Sequence, residues 1–571
     1  MSSGRMKAVV TTLAALFAVS ACHSSPTGPN QQKGPAPTAL AVSPSTGTVG
    51  TELRVTGTNF RSGATVEVGN FTAAAAQVSG DTAAFALVPS GVQANSTYSV
   101  KLSNSDGTSV TLQNAFEAVA PTLRFVNSAT KPSGNTGSTV IVDGDAFGDV
   151  QGPGQVLFSD GSGGTVAATI AQATDWTNTF IVTTVPAGAA TGPVAVMTGT
   201  GTSDSLPFTV TQNATFSPST IHWTQTQALP AALSGHRAQY VPIDDTTGTT
   251  VQYVYVSGGA GNDSVPVSDV NMAVIQQNGT LGTWSAATAL PAGRAFHQMV
   301  AATPFNSEVQ GSGYLYAMGG IETKNGQPTT TVYRAQLNND GTLGSWTAVT
   351  PLPVPLHSFG AVLFRSAIYI AGGATTDNAP TASVYRATID TLGNLSDWQP
   401  MPDLPSARAY FDFQTFGGYL YAVGGDTAAV DPNDGNYTGN ATKLSDVIYA
   451  KIDLRSGSVG SWTLNSSAMQ KARSKHSALV AGGTIFVSAG LYAAAGTGSS
   501  ENSYAQINSD GSVGSFAGAT GSNTLQSVTG VNLFNHAAIA YVDAAGVAHV
   551  MILGGDDVNA PGNKQAAVLF Y

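Results

Sequence analysis

A strand that ends in a pair of small residues recurs six times in the second half of the sequence. Its six versions read YVYVSGG, YLYAMGG, AIYIAGG, YLYAVGG, TIFVSAG and VMILGG, and they end at Gly259, Gly320, Gly373, Gly425, Gly490 and Gly555. A half-polar strand such as TVYRAQL follows each one. A repeated unit of this size buries its apolar faces only by stacking on its neighbours. The repeat therefore predicts an all-β fold made of six stacked units.

A tight turn and an aromatic residue complete each unit. The aromatic residues recur every 52 to 64 positions, at Trp223, Trp284, Trp346, Trp398, Trp462 and Phe516. In NNDGTLGSW, Asp340 and Gly341 form the pair that tight hairpin turns favour, because glycine accepts a positive φ without steric cost. A calcium loop needs several oxygen ligands, which this stretch does not supply. The aromatic ring is expected to pack between neighbouring units.

The order of these parts resembles the kelch repeat, which also builds galactose-oxidase-like propellers. The resemblance implies a six-bladed β-propeller over residues 213–571. The sixth unit has only three strands before the chain ends, so residues 216–227 are expected to add the missing outer strand. Pairing the two ends in one blade closes the ring and removes the open sheet edges.

Histidines stand near the start of the inner strand in five units. They are His236, His297, His357, His476 and His536, and the fourth unit has Phe411 at this place. The kelch resemblance implies that these histidines form hydrogen bonds between blades. The alternative is a ring of metal ligands around the central channel. We expect the structural role, with no metal and no cofactor.

Two shorter β-rich regions, residues 38–118 and 119–212, precede the repeats. Alternating strands separated by Pro/Gly turns predict two β-sandwiches. Both resemble the IPT/TIG family of immunoglobulin-like domains, the first through Pro44, Gly47, Gly50, Gly57 and Phe60, and the second as a looser copy with GDAF in place of GTNF. The family implies spacer or interaction modules. A ligand site on one of them is the alternative.

The N-terminus has the layout of an export signal. Arg5 and Lys7 precede an apolar stretch over residues 8–19, which is too short for a transmembrane helix of about 20 residues. VSAC, ending at Cys22, resembles the lipobox of bacterial lipoproteins. Residues 1–21 are then the signal and 22–37 a flexible tether, with the acylated protein at the outer membrane or cell surface. An ordinary signal with an incidental Cys22 is the alternative.

Composition limits the partners of the chain. The sequence holds 22 basic and 33 acidic side chains, for a net charge of −11, and has no basic run beyond the N-terminus. This argues against nucleic acid as a partner. With one cysteine, an intramolecular disulfide is impossible. The cysteine–tyrosine radical of galactose oxidase is excluded as well, because Cys22 lies in the export signal.

The longest connection after a glycine pair, residues 426–446, is the best candidate for a binding loop. Its Asp431, Asp434, Asn436 and Tyr437 have side chains suited to a sugar or a calcium ion, although a long solvated loop is the alternative.

Taken together, these features predict a lipid-anchored binding or adhesion protein of the cell surface whose propeller loops bind a glycan or a protein. A carbohydrate-active propeller enzyme is the alternative, although no carboxylate pair stands out in the sequence. A structural envelope protein is a third possibility.

Overall fold

The structure is a computed structural model that describes residues 33–73, 76–211, 216–428, 443–492, 501–518, 525–543 and 546–571. The predicted fold class is confirmed: two immunoglobulin-like β-sandwiches are followed by a six-bladed kelch-type propeller. Among these residues, no helix has both the length and the apolar character needed to span a bilayer. Cys22 and the four proposed ligand residues Asp431, Asp434, Asn436 and Tyr437 lie outside the described ranges.

The first sandwich packs two antiparallel sheets around buried apolar side chains that alternate along the strands. One sheet has the order Thr38–Ser43, Glu52–Thr58, Ala83–Leu87 and Gln77–Ser79. The other has the order Thr46–Gly47, Ser109–Ala118, Ser96–Ser103, Thr65–Val68 and Phe71–Thr72, and its first pair is parallel. Leu53, Val66 and Phe116 lie in the core between the sheets.

The second sandwich repeats this architecture. Its smaller sheet has the order Thr122–Val126, Thr139–Asp145 and Phe180–Thr184. Its larger sheet has the order Ser133–Asn135, Leu206–Thr211, Gly192–Thr198, Gln155–Ser159 and Thr165–Ala167, with Gly201–Thr202 also paired to Gly192–Thr198. A 3₁₀ helix, Ala173–Asp175, leads to Trp176, whose buried indole N–H donates to the Phe147 carbonyl at 3.0 Å.

The GTNF and GDAF elements have the same local structure in the two sandwiches. Phe60 and Phe147 are buried next to Gly57 and Gly144, and a Cβ at either glycine would overlap the carbonyl of a neighbouring strand. The residue before each phenylalanine has a positive φ, 60° at Asn59 and 58° at Ala146. The difference in letters therefore leaves the conformation unchanged.

The propeller consists of six antiparallel four-stranded blades. From the inner to the outer strand, the first blade is Arg237–Asp244, Thr250–Ser257, Val270–Val274 and Ser285–Ala287, and the second is Gln298–Ala302, Tyr314–Met318, Val332–Gln336 and Thr347–Val349. The third blade is Gly360–Phe364, Ala367–Ala371, Val384–Thr388 and Gln399–Met401, and the fourth is Asp412–Phe416, Tyr419–Asp426, Lys443–Lys451 and Thr463–Leu464. The fifth blade is Ser477–Ala481, Thr484–Ser488, Asn502–Gln506 and Ala517–Gly518.

The sixth blade combines both ends of the propeller region. Its inner three strands are Ala537–Val542, Ala548–Asp557 and Ala560–Phe570, and its outer strand is Thr224–Gln225. Thr224 pairs with Phe570 and Gln225 with Leu569 in an antiparallel register. The inner strands contact one another all the way round, including those of the sixth and first blades. The ring is therefore closed by hydrogen bonds within one sheet.

Short elements complete the propeller. Arg473–Ser474 pairs with Leu491–Tyr492, and Leu533–Phe534 pairs with the second strand of the sixth blade. A 3₁₀ helix, Pro218–Thr220, precedes the closing strand, and a five-residue α-helix, Leu525–Thr529, precedes the sixth blade.

Apolar cores lie between the blades rather than inside one central core. Each of six buried clusters draws its side chains from two neighbouring blades. Tyrosines and tryptophans add polar links across the same junctions. The Tyr316 hydroxyl donates to the Gly393 carbonyl in the turn of the next blade at 2.7 Å, and the Trp346 indole N–H donates to Thr288 of the preceding blade at 2.8 Å. The repeated aromatic residues thus connect neighbouring blades.

Candidate functional site

The propeller has two different ends, because its strands run antiparallel. At one end lie the hairpin turns before the aromatic strand and the connections from inner to second strands; we call it the turn face. At the other end lie the connections after the glycine pairs and the starts of the inner strands; we call it the open face.

The second sandwich packs against the turn face. Arg365, in the turn after the inner strand of the third blade, pairs with Asp143 at 3.0 Å. Lys131 forms an ion pair with Asp244 of the first blade, and its backbone N–H donates to the Pro304 carbonyl of the second blade at 3.1 Å. All hydrogen bonds and ion pairs found between the described residues of this sandwich and the propeller reach the turn face.

Charged groups are buried in this contact. The Phe180 ring lies 5.8 Å from the Arg365 guanidinium and 5.6 Å from that of Arg455. Burial raises the pKa of Asp143, although Arg365 acts in the opposite direction. Burial also raises the pKa of Glu308, which lines a cavity together with Ser128 and Asp143 of the second sandwich. The contact pairs opposite charges, Arg365 with Asp143 and Lys131 with Asp244. Unpaired charges buried in this way would be costly.

On the open face, each glycine pair lies against the start of an inner strand. A Cβ at Gly259 would come within 2.7 Å of the His236 Cβ, and one at Gly258 would overlap the Arg294 carbonyl of the next blade. Both glycines also have a positive φ, 57° at Gly258 and 90° at Gly259. Larger residues are excluded by space and by backbone conformation. Ala489 takes the first position in the fifth blade with a φ of 51°.

The residue that packs under the glycine pair is histidine in four blades and phenylalanine in two. The six residues are His236, His297, Phe359, Phe411, His476 and His536. The prediction that His357 belongs to this set is wrong. His357 lies two positions earlier, where it pairs with Ala374, because Phe359 holds the place beneath Gly373. The His357 Nε2 lies 3.2 Å from the Asn378 Oδ1.

Two of the four histidines bond to a serine of the preceding blade. The His297 Nε2 lies 2.8 Å from the Ser257 Oγ, and the His536 Nε2 lies 2.9 Å from the Ser488 Oγ. Each serine immediately precedes a pair of small residues. In the third blade, Ala371 holds the corresponding place and Phe411 packs next to it. Serine with histidine and alanine with phenylalanine are thus alternative solutions at the same junction.

Burial governs the charge of these histidines. It lowers the pKa of His236, His476 and His536 to about 3, and it lowers the pKa of His297 well below the ordinary value. The rings are therefore neutral at physiological pH. Within the described part of the chain, no group of three or more His, Cys, Asp or Glu side chains is placed to hold a metal ion.

A closed ring of six backbone hydrogen bonds links the starts of the inner strands. Each peptide N–H donates to the carbonyl of the preceding blade at 2.8–3.0 Å. The six residues are Gly235, Phe296, Ser358, Tyr410, Lys475 and Asn535, and all have φ between 51° and 65°. In this left-handed conformation both backbone groups of each residue point around the ring. Sequence analysis missed this ring, since five of its members are not glycine.

Buried arginines were also missed by the sequence analysis. Arg294, Arg408 and Arg473 stand three positions before the residue under the glycine pair, and each side chain is fully buried. Their guanidinium groups donate to the carbonyl of the first small residue of the pair, at 2.9, 3.0 and 3.1 Å. The other three blades have a leucine at this place: Leu233, Leu356 and Leu533. The recurring letters R-A-F-H, R-A-Y-F and R-S-K-H were the available signal.

In the hairpin turn of NNDGTLGSW, the Asp340 carboxylate forms hydrogen bonds within the turn itself. The Asp340 Oδ1 accepts hydrogen bonds from the Thr342 backbone N–H at 2.9 Å and from the Thr342 hydroxyl at 2.6 Å. These bonds lower the pKa of Asp340. Gly341 has a φ of 80°. The Asp340 carboxylate therefore stabilises the turn.

A central channel of about 320 Å³ runs along the inner strands. Its first layer, just inside the backbone ring, is formed by Arg237, Gln298, Asp412, Ser477 and Ala537, and the third blade has Gly360 at the equivalent position. Several of these side chains reach the next blade. The Ser477 hydroxyl donates to the His536 carbonyl at 3.0 Å, the Gln298 amide donates to the Phe359 carbonyl, and Asp412 accepts from the Ala478 N–H at 2.6 Å.

Two carboxylates on the described part of the open face are paired with lysines, and two others, Glu322 and Asp446, pair with Arg294 and Arg408. Asp426 follows the glycine pair of the fourth blade and lies 3.5 Å from the Lys443 ammonium. Asp556 holds the same place in the sixth blade, 2.6 Å from Lys564. Lys475, over the Tyr410 ring at 4.7 Å, lies between these pairs and has its pKa lowered by burial to about 8. This end is polar and charged but internally compensated.

Comparison with known proteins identifies a family for the first sandwich and weaker similarities elsewhere. Residues 37–118 match the IPT/TIG domain family. A stretch of 84 residues is 25% identical to Kelch-like protein 13 of Bos taurus and of Homo sapiens, and it covers 15% of this chain and 13% of those proteins. The chain therefore spans only a small part of the curated relatives it matches. A solved structure described as "Structure of YjhT" aligns with 60% of this chain and 96% of its own, at 14% identity and a TM-score of 0.42.

The Ser257–His297 bond can be tested by exchanging one natural pair for another. Ser257→Ala leaves the buried His297 Nε2 without its partner, so we expect the free energy of unfolding to fall by about 1–3 kcal/mol. Adding His297→Phe recreates the Ala371–Phe411 arrangement and should restore part of the loss. Denaturant unfolding of the propeller measures both values. A double variant as unstable as Ser257→Ala, or less stable, would contradict this account of the junction.

The neutral, buried histidines predict a specific dependence of stability on pH. Below pH 6.5 the unfolded chain takes up a proton at His476, whereas the folded protein resists it until about pH 3. Above pH 6.5 these histidines therefore do not lower the free energy of unfolding. Below it, the free energy of unfolding decreases as the pH falls, by up to about 1.4 kcal/mol per pH unit for each such histidine. His476→Phe, which copies the fourth blade, should flatten the curve between pH 6.5 and about 4. The free energy of unfolding of both proteins is measured by denaturant titration at a series of pH values. The same dependence on pH in the two proteins would rule this out.

Proposed function

We propose that this chain is a binding or adhesion protein of the cell envelope whose propeller binds a glycan or a protein through its open face. The observation that carries this proposal is the position of the second sandwich. It packs on the turn face through Asp143, Lys131 and Phe180, which leaves the connections after the glycine pairs at the opposite end. Loops on a rigid scaffold are the usual location of binding residues.

The described rim of the open face suits a polar ligand. Lys324 donates to the Asp263 carbonyl at 2.8 Å, and both side chains are exposed. Lys471 pairs with Glu501 at 3.0 Å, and the Tyr492 hydroxyl donates to the same carboxylate at 2.9 Å. Exposed ion pairs contribute little to stability, so they can be exchanged for contacts with a partner at small cost.

The two sandwiches serve as spacers in this proposal. The first is joined to the second by the Thr48 and Thr198 hydroxyl groups at 2.9 Å, and the Glu52 N–H donates to the Asp149 carboxylate at 2.7 Å. The second is joined to the propeller by the buried charges described above. A chain anchored at Cys22 would connect to the membrane through the first sandwich, and the open face is the end of the propeller opposite the second sandwich.

A binding screen tests the proposal and identifies its surface. The full chain with Cys22→Ser, probed against a glycan array and a panel of secreted proteins, should retain at least one partner unchanged. Lys324→Glu and Lys471→Glu reverse charge on the open face, so at least one should weaken that binding by about ten-fold or more.

Lys451→Glu is the matched control, because Lys451 is equally exposed at the turn-face end of its strand. Binding that is lost in the control and kept in both open-face variants would refute the proposed surface. Release of product from a polysaccharide, without retention, would favour the carbohydrate-active enzyme instead.

Lipid anchoring at Cys22 has a separate test. Cells grown with a clickable fatty-acid analogue should label the wild-type protein and not Cys22→Ser, since the thiol and the new amino group of this residue are the sites of acylation in a lipoprotein. Ser24→Ala, which keeps the cysteine and the VSAC stretch before it, serves as the comparison and should be labelled like the wild type. Equal labelling of wild type and Cys22→Ser would overturn the lipoprotein assignment.

A further inference from the structure

The central channel contains two opposite charges that do not meet. Arg237 and Asp412 occupy the same position in the first and fourth blades, which face each other across a six-bladed ring. They are not within ion-pair distance, although each influences the charge of the other. Two buried charges separated in this way are costly unless something compensates them.

Only one of the three side-chain nitrogens of Arg237 forms a hydrogen bond to another described residue. Its Nε donates to the His297 carbonyl at 2.8 Å, which fixes the guanidinium plane. Its two terminal nitrogens have no hydrogen-bond partner among the described residues. A guanidinium stays charged at neutral pH and presents two parallel donors that match a carboxylate.

Asp412 is fixed in a similar way. One oxygen accepts from the Ala478 N–H of the next blade at 2.6 Å. The group is therefore oriented by the fold and faces the channel, where it can accept a hydrogen bond from a cation.

These charges are departures from the repeat. The other four blades have Gln298, Gly360, Ser477 and Ala537 at the same position, none of them charged. Two residues further along, the first and fourth blades have Gln239 and Gln414, whereas the remaining blades have Val300, Val362, Leu479 and Ile539. At this second position the channel therefore has two opposite polar sides and apolar residues between them. At the first position Gln298 and Ser477 bond to the next blade without carrying a charge, so blade closure alone does not require the charges of Arg237 and Asp412.

We propose that the central channel is a binding site for a small zwitterion of amino-acid size, with its carboxylate on Arg237 and its ammonium group on Asp412. The channel volume of about 320 Å³ lies at the lower end of the range of small-molecule sites. Asn306, which follows the inner strand of the second blade, also lines the channel. This site is distinct from the open-face surface proposed for a glycan or protein.

The decisive comparison uses a zwitterion and its two halves. Common L-amino acids are titrated into the full chain with Cys22→Ser by calorimetry, beside propionate and propylamine, which carry only one of the two charges of alanine. At least one amino acid should bind, and each half should bind weaker by about ten-fold or more. No binding by any amino acid, or propionate binding as tightly as alanine, would overturn the proposal.

Variants assign the site to the two charges. Arg237→Gln and Asp412→Asn should each weaken amino-acid binding by about ten-fold or more. Arg54→Gln and Asp204→Asn, at exposed positions outside the channel, are the matched controls and should leave it unchanged. Unchanged binding in both channel variants would place the ligand elsewhere and refute the site. If a channel variant fails to fold, the comparison of alanine with propionate and propylamine in the protein with an unsubstituted channel still tests the proposal.

Discussion

The propeller depends on a ring of six backbone hydrogen bonds at the start of its inner strands. Each member donates to one neighbouring blade and accepts from the other, so the bonds satisfy every peptide only when the ring closes. Closure needs a left-handed conformation at all six positions, including Phe296, Tyr410 and Lys475, where it is sterically unfavourable. The cost is offset because no buried peptide group of the ring is left unpaired.

The ring fixes where everything else on the open face can lie. The residue after each ring member, such as His297 or Phe359, is directed beneath a glycine pair, and only glycine or a small residue leaves room for it. The next residue, such as Arg237 or Asp412, faces the channel. One conformation repeated six times therefore explains the glycine pairs, the buried histidines and the position of the channel charges together.

The sequence predicted the repeated parts of the fold, because each of them has its own local physical cause. Glycine pairs mark strands that end against a neighbour, and Asp-Gly turns mark hairpins; both depend on residues that tolerate a positive φ. The register around His357 was wrong, since a histidine two positions away resembles the expected one and Phe359 carries no polar signal. The backbone ring was not predicted, because side chains such as that of Tyr410 give no indication of a left-handed backbone.

Features that join distant parts of the chain were beyond sequence reasoning for a different reason. Arg237 and Asp412 are brought face to face only by ring closure, and Arg365 meets Asp143 only when the second sandwich docks. Neither pair has a fixed spacing that a motif could record. Arg237 and Asp412 do share one recognisable property, which is that the equivalent positions in the other four blades are neutral. In a repeat protein the common residues maintain the scaffold. Arg237 and Asp412 break the repeat with a charge at a position where neutral side chains also link the blades, so blade closure gives no reason for the charges, and ligand binding is the explanation to test.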